Sequence, residues 1–341
     1  MQHVKKPARS LPARALALSA LVATFALAAA CQSRLTGNEG NLEFLYPADD
    51  NIADFNKPIA VGARLDLRAR AVGTLLPVAV KSASSDDANV LQVVSTSGDS
   101  LTVEGVSAGG ALISVEATKA NGEAVSDSVN MLARVPEVLK MRHFCTVDPT
   151  ARYLVGQDVL VPFDMERTNG QPVIGYGYHP ITITPAAGLT LDTATKDQAH
   201  FRLKTAATKQ TVTMASTIDS RQIQLELVEQ GDIDGALLAE PVGMARVGHS
   251  VFFLVRPSVA GKVVCQARAD VEVTTKTPDV CTVGALQTAR TNDSPTTTWG
   301  WVEVKGKAVG KCNFEVKYLL GAAGAGSATD LTVDVAELVT P

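Results

Sequence analysis

Apolar and polar residues alternate along most of the chain with a period of two residues. In the segment 63–69, for example, Ala63, Leu65, Leu67 and Ala69 are separated by charged residues. Because successive side chains of a strand point to opposite faces, this alternation places the apolar side chains on one face. Gly, Pro, Asn and Asp recur between the short apolar runs, as is typical of turns. The pattern predicts an all-β fold of antiparallel strands.

The strand pattern occurs three times along the chain. Each copy begins with a Val-Gly pair before an apolar strand, at Val61-Gly62, Val155-Gly156 and Val247-Gly248. The glycines lie 94 and 92 residues apart, and each copy continues with a second strand and a polar turn. Repeats of this length with about seven short strands are typical of β-sandwiches. We therefore predict three sandwiches in series, over residues 42–135, 136–235 and 236–341.

The first and third copies carry a more specific pattern. In the first copy the Val-Gly pair and its strand are followed by the turn Ser82–Val90 and by the segment Val103–Val115. This order resembles the bacterial Ig-like group 2 family, over about residues 55–118 and again over about 267–318. The resemblance implies tandem Ig-like sandwiches and little chemistry. The middle copy has Thr184-Pro-Ala-Ala-Gly188 in place of the Ser-Asp turn, so only a general Ig-like sandwich is expected there.

Residues 1–30 have the pattern of a secretory signal peptide. Basic residues precede an apolar run from Leu16 to Leu27, and Ala28-Ala29-Ala30 precede Cys31. The apolar run of about 12 residues is shorter than the roughly 20 that a spanning helix needs. We therefore predict cleavage after Ala30 rather than a permanent transmembrane helix.

A cysteine at the cleavage point is similar to the bacterial lipoprotein signal, in which its sulfur receives a diacylglyceryl group and the new N-terminus is acylated. The resemblance implies an acylated Cys31, a tether over 31–41 and a membrane anchor outside the cytoplasm. Leu27 lies four residues before Cys31, whereas the common pattern places it three before. The alternative is a plain signal peptide that leaves Cys31 as a thiol. Gln32 after the cysteine implies sorting to the outer membrane in enterobacterial lipoproteins.

Four cysteines besides Cys31 remain in the mature chain: Cys145, Cys265, Cys281 and Cys312. An even number in an exported chain predicts two disulfides, and the count alone leaves three connectivities open. The Ig-like resemblance implies a Cys281–Cys312 bridge, because related repeats often carry a bridge at these positions. Cys145 and Cys265 then form either a bridge between the second and third domains or two buried thiols. No metal site is expected, because C-x-x-C spacing is absent.

The charge of the mature chain disfavours nucleic acid as a partner. The leader contains four of the 31 Lys and Arg and none of the 35 Asp and Glu, so the mature chain carries 27 basic and 35 acidic residues, a formal net charge of −8. Nucleic-acid-binding proteins need basic surfaces to neutralise phosphates. The membrane, through the lipid, and an unknown envelope protein or glycan are the partners we expect.

Catalytic motifs are absent from the mature sequence. No metalloprotease, nucleophile-elbow or phosphate-loop pattern occurs. His143 and Cys145 come nearest to a thiol–imidazole pair, but residues two apart on a strand share a face by geometry alone. We therefore expect no enzyme activity and no cofactor.

Two aromatic pairs are candidates for a binding surface: Tyr176 with Tyr178, and Trp299 with Trp301. If each pair lies on a strand, its two rings share a face and form a flat platform for a sugar ring or an apolar partner. Alternatively, Trp301 and one tyrosine belong to the sandwich cores.

These observations lead to two main hypotheses and a more distant third. The first is a non-enzymatic envelope lipoprotein that acts as an adhesive or scaffolding arm. The second is a carbohydrate- or peptidoglycan-binding module that uses the paired aromatics. An envelope enzyme is the third, because a fold does not determine function.

Overall fold

The structure is a computed structural model that describes most of the chain from residue 34 onward. The described residues are 34–45, 57–74, 76–239, 242–267, 270–286, 300–319 and 325–338. The predicted signal peptide 1–30 and Cys31 lie outside them. Within these ranges the regular elements are strands and two 3₁₀ helices, Ala186–Gly188 and Gln230–Asp232, which confirms the predicted all-β fold. No helix in the same ranges is long and apolar enough to cross a bilayer.

The chain divides into two units, residues 1–135 and 136–341. The described strands of the first unit are β1 (Arg34–Thr36), β2 (Leu42–Leu45), β3 (Ile59–Ala60), β4 (Arg64–Ala71), β5 (Ala79–Ser85), β6 (Leu91–Ser97), β7 (Ser100–Gly105), β8 (Gly109–Thr118) and β9 (Ala124–Arg134). They form two sheets with the strand orders β1-β2-β4-β7-β6 and β3-β9-β8-β5. These sheets are the two layers of the first sandwich.

The core of the first sandwich follows the alternation in the sequence. Leu65 and Leu67 of β4 are buried, whereas Arg64 and Arg68, on either side of this pair, are exposed. Ile113 and Val115 of β8 are buried in the same way. Each fully buried aliphatic side chain contributes about 1.5–3 kcal/mol, which is more than an exposed ion pair contributes. Apolar burial therefore stabilises this sandwich more than its surface charges do.

The second unit contains the other two sandwiches. Its described strands are β10 (Val138–Met141), β11 (Thr150–Leu154), β12 (Asp158–Glu166), β13 (Pro172–Val173), β14 (Ile181–Thr184), β15 (Leu189–Leu191), β16 (His200–Thr205), β17 (Gln210–Ser216), β18 (Gln222–Val228), β19 (Gly235–Leu238), β20 (Ala245–Arg246), β21 (Ser250–Val259), β22 (Lys262–Cys265), β23 (Asp270–Thr275), β24 (Cys281–Leu286), β25 (Trp301–Gly306), β26 (Gly310–Leu319) and β27 (Ala325–Ala336).

Three sheets run through the second unit. The strand orders are β10-β12-β16-β15, with β13 beside β12; β14-β17-β18-β11-β22-β21-β25-β24, with β19 beside β21; and β20-β27-β26-β23. The long sheet has strands from both sandwiches, and the other two each complete one of them. The all-β sandwich architecture thus continues to the end of the described chain.

The three Val-Gly pairs of the sequence make the same backbone hydrogen bonds. Each valine N–H donates to a carbonyl at the end of its copy: Val61 to Arg134 (2.9 Å), Val155 to Val228 (3.0 Å) and Val247 to Ala336 (3.0 Å). The next glycine N–H donates across the sheet: Gly62 to Gly105 (2.7 Å), Gly156 to Ala206 (2.9 Å) and Gly248 to Gly306 (2.9 Å). All three glycines have positive φ, which side-chain-bearing residues rarely adopt. The sequence repeat is therefore a repeat of structure.

The second and third sandwiches share a hydrogen-bonded sheet. Strand β11 pairs in parallel with β18 of its own copy and with β22 of the third, where Arg152 lies opposite Val264 and Tyr153 opposite Cys265. Strand β22 then pairs with β21. We call the region formed by β11, β22 and the loop 142–149 the junction.

Residues 34–41 differ from the prediction of a tether over 31–41, because β1 pairs with β2 and residues 37–41 form a turn of the first sandwich. Buried Asp127 of β9 accepts hydrogen bonds from the backbone N–H groups of Glu39 (2.9 Å), Asn41 (2.7 Å) and Leu42 (2.7 Å). A Cβ at Gly37 would lie 2.2 Å from the same carboxyl group. This segment is therefore a turn fixed against β9.

The charge of Asp127 suits this role. Burial opposes its ionisation, but hydrogen bonding to the Glu39 side chain and from the Leu42 backbone outweighs burial, and the pKa of Asp127 falls below its ordinary value. An ionised carboxylate is a stronger acceptor than a neutral one. Asp127 thus holds the start of the sandwich in place.

Candidate functional site

Two disulfides occur in the second unit, at the four cysteines that the sequence singled out. Cys281 and Cys312 are joined with a Cα–Cα distance of 5.7 Å, as the Ig-like resemblance implies. The bond connects β24 and β26, which belong to different sheets, so it crosses the core rather than linking neighbouring strands. Cys145 and Cys265 are also joined, with a Cα–Cα distance of 5.4 Å. This second bridge, rather than two thiols, links the second and third sandwiches at the junction.

His143 has a structural position beside that bridge. Its Nδ1 lies 2.9 Å from the Tyr153 hydroxyl and its Nε2 lies 3.3 Å from the Pro149 carbonyl. Because a carbonyl only accepts, Nε2 carries the proton and Nδ1 accepts from Tyr153. Burial lowers the pKa of His143 and so favours this neutral form. Since Cys145 is bonded to Cys265, the thiol–imidazole pair does not form.

Polar side chains at the junction satisfy backbone groups of the neighbouring sandwich. The buried Gln266 amide accepts from the Leu160 N–H at 2.9 Å and donates to the Leu160 carbonyl at 2.7 Å. Arg152 donates to the Val259 carbonyl and forms an ion pair with Glu226 at 2.9 Å. Buried polar groups that are paired in this way are costly to separate. The junction is therefore a specific contact between the two sandwiches.

A cleft of about 210 Å³ opens on the surface of the junction. Thr150 and Arg152 of β11 line it, with Glu226 of β18 beside them and Lys262 of β22 opposite. The loop that contains Cys145 also borders the cleft. No local sequence pattern predicts this cleft, because strands that are distant in the sequence form it.

The prediction that Tyr176 and Tyr178 form a flat platform on one strand is wrong. Gly175 and Gly177 have positive φ values of 130° and 83°, so Tyr176 and Tyr178 do not follow one another along a regular strand. Tyr176 is only 8% exposed, and the Lys196 ammonium lies 5.3 Å from the centre of its ring. Tyr178 is half-buried, and burial raises the pKa of its hydroxyl. The two rings therefore do not offer a shared open face.

Trp301 lies on the outer face of the third sandwich. It is half-buried on β25, opposite Leu254 on one neighbouring strand and Leu286 on the other. Phe252, 48% exposed, is on the same face of β21. Trp299 lies outside the described residues. The sequence did not reveal Phe252, because every residue from 251 to 255 is apolar and periodicity does not distinguish the two faces there.

The carboxylate of Asp197 in the second sandwich is held by hydrogen bonds from neighbouring residues. Burial opposes ionisation of Asp197, but a hydrogen bond with the His200 ring (3.1 Å), together with one from the Ala199 N–H (3.0 Å), holds its pKa at about 2. Arg202 also donates to it at 3.0 Å.

Among the described residues no three His, Cys, Asp or Glu side chains are grouped so as to hold a metal ion.

The fold places the chain among all-β proteins built from Ig-like sandwiches. No model of a known protein family matches it, and no curated protein matches it. Among solved structures it is similar to domains 4–9 of the surface-layer protein SbsC, with 16% identity, a TM-score of 0.30, and coverage of 87% of this chain and 47% of that one. The chain thus spans about half the length of that structure.

Two further solved structures are similar to this chain at low identity. The Escherichia coli adhesin FdeC is 15% identical, with a TM-score of 0.25 and coverage of 82% of this chain and 94% of that one. SGBP-B of the Bacteroides ovatus mixed-linkage glucan utilization locus, solved with a mixed-linkage heptasaccharide, is 12% identical, with a TM-score of 0.26 and coverage of 87% and 71%. Likenesses this distant say nothing about what the present chain binds.

Proposed function

We propose that the chain is an exported envelope lipoprotein that acts, without catalysis, as an adhesive or scaffolding arm. The observation that supports this most is the junction. A shared sheet, a disulfide and paired polar groups fix the second sandwich to the third, which suits a stiff element that presents surfaces. The lipid at Cys31 would hold such an arm on the membrane, with the outer membrane as its expected location.

The anchor is tested by metabolic labelling with palmitate. We expect label on the wild-type protein, none on the Cys31→Ser variant, and an uncut precursor when globomycin blocks the lipoprotein signal peptidase. Several acyl chains bind a bilayer far more strongly than one, so the variant should also leave the membrane fraction. Label that survives Cys31→Ser would exclude Cys31 as the acylated residue.

The arm role is tested by crosslinking in intact envelopes. An adhesive or scaffolding arm should give discrete crosslinked products through the exposed faces of its sandwiches, at a defined molecular mass. Cys31→Ser should remove the crosslinked products that form only when the protein is held at the membrane. The circular dichroism spectrum of this variant should match that of the wild type, which shows that the fold is retained. Reaction spread evenly over many envelope proteins would contradict a specific contact.

The carbohydrate-binding alternative retains one supporting observation, the outer face around Trp301. Phe252 and Leu286, which are 48% and 40% exposed, flank it and make a flat apolar surface of the kind that stacks on sugar rings. Trp301→Ala should abolish glycan binding by this surface, whereas Tyr176→Ala should act only through stability. Binding indifferent to Trp301→Ala would remove this alternative.

A further inference from the structure

The cleft at the junction has fixed walls. The guanidinium of Arg152, whose side chain is 15% exposed, is held between the Glu226 carboxylate at 2.9 Å and the Val259 carbonyl. Glu226 is itself 35% exposed, so part of its carboxylate faces solvent. Because Arg152 is held by Glu226 within the second sandwich and by Val259 of the third, a ligand would not have to order this pair on binding.

The charges around the cleft balance one another. Asp148 and Glu226 contribute two carboxylates, and Arg152 and Lys262 contribute two cations. A strongly charged ligand would therefore meet repulsion from one pair as well as attraction to the other. A neutral ligand with many hydroxyl groups avoids this repulsion, because a hydroxyl can donate to a carboxylate and accept from a guanidinium or ammonium group.

The remaining lining suits a sugar ring. Thr146 and Thr150 add hydroxyl groups. The Thr146 hydroxyl accepts from the Asp148 N–H at 3.1 Å and can still donate, and the Thr150 hydroxyl donates to the Gln224 side chain at 3.3 Å and can still accept. Leu237 and Val263 add apolar surface against which the C–H face of a ring can pack. The volume of about 210 Å³ is below the roughly 300–1,000 Å³ of sites that enclose drug-sized ligands. The cleft therefore fits a single ring, with any further rings outside it.

We propose that the junction cleft binds a neutral saccharide through one ring, with the Arg152–Glu226 pair bridging neighbouring hydroxyls. Such a saccharide would be a ligand for the proposed adhesive role, and this biological interpretation of the cleft rests on that proposed function. It is distinct from the Trp301 face, and it does not depend on acylation of Cys31.

The test is binding of the purified full chain to an array of neutral, acidic and amino-bearing oligosaccharides, followed by calorimetry with the strongest ligand. Glu226→Gln removes one charge at nearly constant volume, and Lys262→Ala shortens an exposed side chain. We expect each to weaken binding of a neutral saccharide by tenfold or more. Matched controls are Glu315→Gln and Lys276→Ala, because these residues form an ion pair at 3.1 Å elsewhere in the third sandwich and Glu315 is also 35% exposed.

The possible results separate the two proposals. Loss in both cleft variants, with the controls and Trp301→Ala unchanged and all thermal transitions retained, supports the cleft. Absence of saccharide binding, binding restricted to charged glycans, or loss only in Trp301→Ala would overturn it. The crosslinking in intact envelopes is scored separately, so the arm role can survive the failure of this site.

Discussion

The first and third sandwiches have the same strand arrangement but stabilise one core position by different means. In the third, Cys281 lies opposite Gly306 and is bonded to Cys312. At the matching positions of the first, Leu91 lies opposite Gly105 and packs in a core that also buries Ala111. The fold therefore accepts either a covalent bond or an apolar pair there. The disulfide adds stability without defining the topology.

The two units also differ in whether disulfides stabilise them. Residues 42–135 contain no cysteine, and the start of the first sandwich depends on hydrogen bonds to Asp127. The second unit has two disulfides, one of which joins its two sandwiches. Reduction should therefore affect the second unit and leave the first unchanged.

The largest effect is expected from removing the bridge at the junction. Cys145 and Cys265 are 120 residues apart, and the chain-entropy model gives about 4–5 kcal/mol for a loop of this size. Replacing both with Ala should lower the free energy of unfolding of the second unit by about 4 kcal/mol. Urea unfolding followed by hydrogen exchange would measure both units, and the first unit serves as the internal control. A loss below about 1 kcal/mol would contradict the role of this bridge.

A smaller loss is expected at the matched core position. Cys281→Ala with Cys312→Ala should cost about 3–4 kcal/mol, because the loop between the two residues is released in the unfolded chain. Cys281→Leu with Cys312→Ala transplants the pair of the first sandwich and should recover about 1–2 kcal/mol of that loss by restoring apolar burial. Thermal unfolding of the two double variants makes the comparison. If the two double variants are equally unstable, the apolar pair of the first sandwich does not stabilise this position in the third.

Asp127 offers the corresponding test in the first unit. Asp127→Ala leaves the backbone N–H groups of Glu39, Asn41 and Leu42 without their charged acceptor, at a cost of about 3 kcal/mol. Amide exchange at these three residues should accelerate. The control is Asp86→Ala, since exposed Asp86 accepts from Leu112 alone (2.8 Å) and should cost about 1 kcal/mol or less. Equal losses in the two variants would contradict the special role of Asp127.

The sequence predicted the strands and the repeat, because alternation and spacing are local signals, whereas the disulfide of the third sandwich was implied only by the Ig-like resemblance. It did not reveal that Asp127 fixes Glu39, because the two residues are 88 positions apart and no local pattern links them. It misplaced the tyrosines, because Gly175 and Gly177 take positive φ values that break the strand geometry. The junction cleft was missed for the same reason as Asp127, since β11 and β22 meet only in the folded chain.

The smallest predicted difference between the units is their response to pH. Burial lowers the pKa of His143 in the folded second unit, so as the pH falls the unfolded chain binds a proton first, near its ordinary pKa of about 6.5. The stability from neutral His143 is therefore complete above about pH 6.5 and decreases below it, by at most about 1.4 kcal/mol per pH unit. Residues 42–135 contain no histidine, so the first unit should change little between pH 7.5 and 5.5.

Urea unfolding at these two pH values measures the difference, with His143→Gln as the control. Glutamine cannot titrate, so the variant should be less stable at pH 7.5 because the contact with Tyr153 is disturbed, but its stability should decrease less on acidification. Tyr153→Phe removes the hydroxyl that donates to Nδ1 while keeping the ring, and should raise the pKa of His143 toward its ordinary value because the neutral form loses a hydrogen bond. The same acid loss in wild type and His143→Gln would assign the pH dependence to other groups and contradict this role for His143.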